Sequence, residues 1–334
     1  MFIYKKKYLY LKLFFIQFLI NILFYYFKSI QKINYNYSFI TSESKAENMD
    51  YDNNTFVIIK RIKCVNCGLF SNYIVFLGCI NKYLNKGNIP IIDLKSYKNI
   101  FNGFNLNISN ENPWEIFFNQ PFGYSLNNVI IKGKRKKYEE CRPITQPDSS
   151  IYFNKILMDF WHNLHRIYIP IKTKILLDSE LIRNNLFKES KNVLGILMRG
   201  TDYIARKPRG HPIPPTTELI IKDIKEMNDK NKYNWYFLST EDDLIRKKLI
   251  RQLGYKVKYY IYNKTINYNY KKKQFLSFNV NIKGNIQYMK VYLLNIIILS
   301  KCIDIISART SGAIGAFLLN NGFRNNKIYN LGYY

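Results

Sequence analysis

Apolar and polar positions along this chain repeat in two registers, and most of residues 56–331 reads as strand followed by helix. The apolar run 56–62 (FVIIKRI) has strand length. A glycine turn at Gly68 then opens a helix to about residue 86, with Leu69, Tyr73, Phe76, Leu77, Ile80 and Leu84 at helical spacing. Gly87 closes that helix, and 89–94 (IPIIDL) is a second short strand. Strand, turn, helix and strand make a βαβ unit, which predicts a parallel sheet. Residues 110–121 (NENPWEIFFNQP) form a polar–aromatic cluster. Its Trp114, Phe117 and Phe118 are expected in the core, while Glu115 and Gln120 are candidates to meet an acceptor. From there to 149 the chain reads as loop, including the basic run 132–137 (KGKRKK), and helices follow at 150–164 and 177–187.

The alternation is cleaner in the second half. The run 193–198 is a strand that breaks into Arg199, Gly200, Thr201 and Asp202, then a basic loop with Gly210, His211 and three prolines. A helix is expected at 216–228, capped by Thr216 or Thr217. A strand at 235–239 ends in Thr240, Glu241, Asp242 and Asp243, which open a helix to Leu253. Further strands are expected at 256–262, 302–307 and 327–331, with helices at 289–300 and 313–319 and a polar loop at 263–285. This pattern predicts a second doubly wound α/β domain, giving an N-terminal segment 1–50, a first Rossmann-like domain 51–175 and a second 176–334.

Parallel strands bring their carboxyl ends to one edge, where open α/β sheets bind ligands. Three strands of the second half end in ligand chemistry. Arg199 is suited to gripping phosphate through two parallel charge-assisted bonds. Gly200 allows a close ligand approach or a positive φ. Glu241 or Asp242 can accept from a guanine N1–H and amine, and Thr310, Ser311 and Gly312 open a helix whose N–H groups attract anions. The turn holding Asn66, Gly68, Ser71 and Asn72 offers a similar, weaker site in the first domain. The plainer alternatives are a surface Arg199–Asp202 pair and helix capping by the acids after residue 239. No P-loop pattern occurs.

Composition changes this picture little. The chain has 334 residues, of which 47% are hydrophobic, enough for sizeable cores. The net charge is +28. It keeps a membrane or polyanion partner open as an alternative, but no basic block sits in a nucleic-acid module, so nucleic acid is not the expected partner. The five cysteines (64, 67, 79, 141 and 302) read as buried small residues rather than a disulfide framework, and with three histidines no metal site is expected. His162 and His165 are read as structural. Residues 1–45 stand apart: Lys5, Lys6, Lys7 and Lys12 precede the apolar stretch 13–27. Segment 8–27 reads as a signal anchor or interfacial helix, which would make the protein membrane-associated; with the start at Met49 it would be cytoplasmic.

The stretches GLFSNY (68–73), NPWEIFF (112–118), LMRGTDY (197–203), GHPIPP (210–215), FLSTEDD (237–243) and SARTSGAIGAF (307–317) resemble, in order, the fucosyltransferase clan of α-1,6- and protein O-fucosyltransferases. The resemblance implies a GT-B-like fold, two Rossmann-like domains facing a cleft. It implies inverting, metal-independent transfer of fucose from GDP-fucose to a glycan or protein hydroxyl, with no cofactor; another nucleotide sugar is the alternative. By position, Arg199 would grip the β-phosphate, Gly200, Thr240, Glu241 and Asp242 would serve the nucleotide, and Thr310, Ser311 and Gly312 would hold phosphate. Many relatives have a histidine two residues before the motif arginine, where this chain has Leu197. Some relatives carry a candidate base glutamate between the motif aspartate and the downstream histidine; no acid lies between Asp202 and His211 here, which leaves the base open, with those two as candidates to assist proton transfer. Replacing Arg199 with Ala is expected to abolish transfer and leave the fold intact.

Overall fold

The computed structural model describes residues 49–106, 111–261, 284–320 and 322–334. The segment 8–27 and most of the 263–285 loop lie outside these residues. Residues 51–334 form one compact unit. It holds two all-parallel sheets. Among the described residues no helix is long and apolar enough to cross a membrane.

The first sheet has the order β2-β1-β3. Strand β1 (Thr55–Lys60) is central, and its four inner residues are buried as a parallel strand requires. Helix α1 (Leu69–Leu84) carries the chain over to β2 (Ile89–Ile92). Short helices α2 (Pro113–Phe117) and α3 (Leu126–Lys132) then lead to β3 (Arg135–Glu140), which pairs with β1 along its whole length. The basic run read as a loop from its sequence is therefore partly a strand. An edge strand needs no apolar face, and its exposed lysines discourage pairing with other chains.

The polar–aromatic cluster packs as expected at Trp114, Phe117 and Phe118, each fully buried. Its polar members bond to the main chain and to one another. Gln120 Nε2 donates to Ile92 O at 2.7 Å, and its Oε1 accepts from Ile92 N at 2.9 Å. Asn112 Oδ1 accepts from Leu94 N, and Glu115 Oε1 accepts from Gln120 and from Leu126 N. These side chains close the open edge of β2, satisfying main-chain groups that would otherwise be buried without partners.

Helices α4 (Lys155–Tyr168) and α5 (Thr173–Phe187) connect to the second sheet, ordered β6-β5-β4-β7-β8. Its elements in chain order are β4 (Val193–Leu197), α6 (Thr201–Arg206), α7 (Thr217–Asn231), β5 (Trp235–Ser239), α8 (Asp243–Leu253), β6 (Val257–Tyr259), α9 (Ile286–Ser300), β7 (Asp304–Ala308), α10 (Ser311–Asn320) and β8 (Asn325–Tyr329). All but the one-and-a-half-turn α6, which reads as loop in the sequence, lie within a few residues of the expected positions. Thr216 caps α7 by accepting from Leu219 N.

One hydrophobic cluster joins the two sheets, from Val57 and Ile59 in β1 to Leu197 in β4 and Ile305 in β7. At its centre Phe70 of α1 lies against Gly315 of α10, where any Cβ would strike the ring. Burying such a side chain contributes about 2–3 kcal/mol. His162 and His165 are structural, as expected: His162 Nδ1 is 2.5 Å from Leu318 O, and His165 is buried against Tyr73. The cysteines correct the sequence reading. Cys64 pairs with Cys67 and Cys79 with Cys141, leaving Cys302 free and buried. The second bridge spans a sequence separation of 62, which spacing could not reveal.

Candidate functional site

Both sheets change winding direction beside their first strand. From β1 the chain goes to β2 on one side and returns to β3 on the other; from β4 it goes to β5 and β6, then returns to β7 and β8. Such switch points leave a crevice at the carboxyl ends of the strands. A single cavity of about 770 Å³ is lined by residues after β1, β4, β5 and β7, and by the N-terminal turns of α1 and α10.

At the end of β4, the Arg199 guanidinium lies over the Tyr203 ring, 4.6 Å from its centroid. Its Nη2 donates to Asp202 Oδ1 at 3.1 Å, and its Nη1 is 3.6 Å from Glu241 Oε2. Burial works against the charged guanidinium, but Glu241 and then Asp202 outweigh it and hold its pKa above the ordinary arginine value. Glu241 Oε1 also accepts from Gly200 N at 3.0 Å and from Thr201 Oγ1 at 3.1 Å. The ends of β4 and β5 are thus stitched together around one arginine.

Gly200 has a reason other than the two expected. Its φ is −124°, and a Cβ there would lie 2.6 Å from Asp242 Cβ and collide with Oδ2. The close approach is to Asp242, and the positive φ falls on buried Thr201, at 41°. Asp242 is wholly engaged: Oδ1 accepts from Leu244 N and Ile245 N as the cap of α8, and Oδ2 accepts from Thr201 N at 2.9 Å.

His211 Nδ1 lies 2.9 Å from Tyr203 Oη, with the two rings edge to face. Burial, then the Arg199 charge, push its pKa below 6.5, against the pull of Asp202. Both effects disfavour the imidazolium. Two tyrosines of α9, Tyr288 and Tyr292, line the same wall. Burial raises both pKa values, that of Tyr292 to about 12, so both hydroxyls keep their protons. Gly312 leaves room for Tyr292 Oη, which a Cβ would meet at 2.5 Å.

At the end of β7, Thr310 Oγ1 accepts from Ala313 N at 3.2 Å and Thr310 O from Ile314 N at 3.0 Å, capping α10. Across the cavity, α1 begins at Gly68 with no side-chain cap. Asn72 braces that turn by donating to Cys67 O at 2.7 Å, and Arg61 Nη1 donates to Ser71 O at 2.7 Å.

Of the expected site residues, Arg199, Asp202, His211, Thr240, Glu241, Thr310, Ser311 and Gly312 line this cavity, as do Asn66, Gly68 and Ser71. Gly200, Asp242 and Asn72 stand behind the wall and hold it. Sequence reasoning missed Arg309, Tyr203, Tyr288, Tyr292 and Asp148, all on the wall. The two α9 tyrosines are spaced i, i+4 on a largely apolar helix, a signal that was available. Among the described residues no group of three or more His, Cys, Asp or Glu could hold a metal ion.

No family model and no curated protein matches the sequence. Solved structures do match. A crystal structure of POFUT1 in complex with GDP-fucose superposes with a TM-score of 0.51 at 8% identity, over 86% of this chain and all of that one. NodZ alpha-1,6-fucosyltransferase soaked with GDP-fucose gives 0.45 at 14% identity, over 80% of this chain and 92% of its own. A NodZ structure from Bradyrhizobium gives 0.44 at 15% identity, over 80% and 93%. The likeness to the POFUT1 structure is one of architecture: this chain has a fucosyltransferase-like, GT-B-like α/β fold built on parallel sheets.

Proposed function

We propose that this protein is a glycosyltransferase that moves fucose from GDP-fucose to a hydroxyl of a glycan or protein acceptor, with inversion and without a metal. The observation that carries this reading is the convergence of the β4, β5 and β7 ends on one cavity. It gathers Arg199, Glu241 and the N-terminal turn of α10 at the switch point of the sheet. In this reading residues 176–334 hold the nucleotide and residues 51–175 present the acceptor. Glu241 and Thr240 serve the guanine, with Asp242 and Gly200 fixing them from behind. Arg199 and the N–H groups of Ser311 and Gly312 meet the diphosphate.

The acceptor oxygen attacks the anomeric carbon as the bond to the β-phosphate oxygen breaks, and GDP leaves with the electron pair. Preorganised donors aimed at that developing charge supply much of the rate. The acceptor proton goes to His211 or Asp202. A neutral His211 whose Nδ1–H donates to Tyr203 Oη keeps a lone pair on Nε2 for it.

The test is a thermal-shift titration of the full chain with GDP, UDP and ADP, with and without EDTA. Binding to the folded state alone raises stability by mass action. Selective stabilisation by GDP that survives EDTA is expected. A UDP preference would move the donor to another nucleotide sugar, an EDTA-sensitive shift would overturn metal independence, and no shift would overturn the reading.

A further inference from the structure

Resting on that reading, the charge pattern of the cavity singles out an arginine that the motif does not. Three arginines line the wall: Arg199, Arg246 and Arg309. Arg199 is already compensated by Asp202 and Glu241, so that cluster of one cation and two carboxylates is net negative. Arg246 pairs with Asp243. Arg309 makes no ion pair with a carboxylate among the described residues. Its Nε is sealed from solvent and has no hydrogen-bond partner, and its guanidinium lies 5.7 Å from the centroid of the Phe153 ring. The remaining carboxylate on the wall, Asp148, is occupied through Oδ1 by the N–H and hydroxyl of Ser150.

A dianionic group entering beside Arg199 alone would meet two carboxylates at close range. Beside Arg309 it meets a guanidinium with donors to spare. It also meets the start of the ten-residue helix α10, where Thr310 takes the N–H groups of Ala313 and Ile314 and leaves those of Ser311 and Gly312 outermost. We infer that Arg309 is a second cation for the terminal phosphate of a nucleoside diphosphate, acting beside Arg199, whose charge is shared with Asp202 and Glu241. Selectivity for a diphosphate over a monophosphate then depends on Arg309.

The experiment is calorimetric titration of the full chain and its Arg309→Ala and Arg309→Gln variants with GDP and with GMP. A hydrogen-bonded charge pair of this kind corresponds to a loss of about 10- to 100-fold. Both variants are expected to weaken GDP by that factor and GMP by less than about threefold, with lower sensitivity of GDP binding to salt. The Arg309→Gln variant keeps a planar polar end over Phe153, so a loss shared by both variants reports charge rather than packing. The unliganded melting temperature of each variant confirms that it is folded. An unchanged GDP-to-GMP ratio in either folded variant overturns the inference. Wild-type protein that binds neither nucleotide overturns the parent reading instead.

Discussion

Replacing Arg199 with Ala tests the architecture of the site before it tests catalysis. The Arg199 side chain is 21% exposed and its partners Asp202 and Glu241 are 7% and 10% exposed, at 3.1 and 3.6 Å. At an effective dielectric near 20, each contact is worth about 5 kcal/mol of gross attraction, most of which offsets desolvation already incurred. Removing the cation keeps that desolvation and leaves two carboxylates facing one another, a loss of about 3–5 kcal/mol. At about 2–3 °C per kcal/mol for a unit of this size, the melting temperature should fall by about 10 °C. Glu241 also holds Gly200 N and Thr201 Oγ1, so the turn beneath the cavity loosens too.

The assay is thermal and urea unfolding at pH 7 of wild type, Arg199→Ala, Glu241→Gln and the double variant. The double variant removes one of the stranded charges and should be more stable than Arg199→Ala alone, with a coupling of at least ~1 kcal/mol. An Arg199→Ala protein that melts within about 2 °C of wild type would refute this reasoning, as would strictly additive losses. The same melts test the expectation that Ala leaves the fold intact. Lys is the better probe of chemistry at this position, because it keeps the charge and gives up only the planar fork.

Two further variants probe the frame of the site. Burial, with a smaller contribution from neighbouring His162, lowers the His165 pKa from 6.5 to about 3. A histidine with a depressed folded-state pKa gives up stability progressively as pH falls from about 6.5 towards 3, because the unfolded chain binds the proton first. His165→Phe should flatten the stability profile over that window while keeping the contact with Tyr73, and an unchanged acid limb in urea unfolding would reject the assignment. Gly200→Ala should cost about 1–3 kcal/mol, because the new Cβ displaces the Asp242 side chain that caps α8 and holds Thr201 N. Wild-type stability in that variant would show that the β4 turn can shift without strain.

How the chain divides into elements was legible wherever one residue's surroundings follow from its neighbours. The runs ending in Arg199, Glu241 and Thr310 are apolar over a strand's length and then break into polar residues, and the structure places β4, β5 and β7 there, side by side. Strand β3 was illegible because a charged edge strand carries no apolar period. The Cys79–Cys141 bridge and the β2 brace by Asn112, Glu115 and Gln120 were illegible because each joins residues far apart in sequence or main chain to side chain.

The site divides along the same line. The residue types, the strand-end turns and their arrival at one sheet edge follow from local patterning and the parallel topology it implies, so the sequence alone determined that Arg199, Glu241 and Thr310 would meet. Which of these groups is free to meet a ligand depends on charges and backbone brought together from opposite ends of the chain. Only the tertiary structure decided that two carboxylates already compensate Arg199, that Asp242 is spent on Thr201 N and the cap of α8 with Gly200 packed against it, and that Arg309 stands without a carboxylate among the described residues.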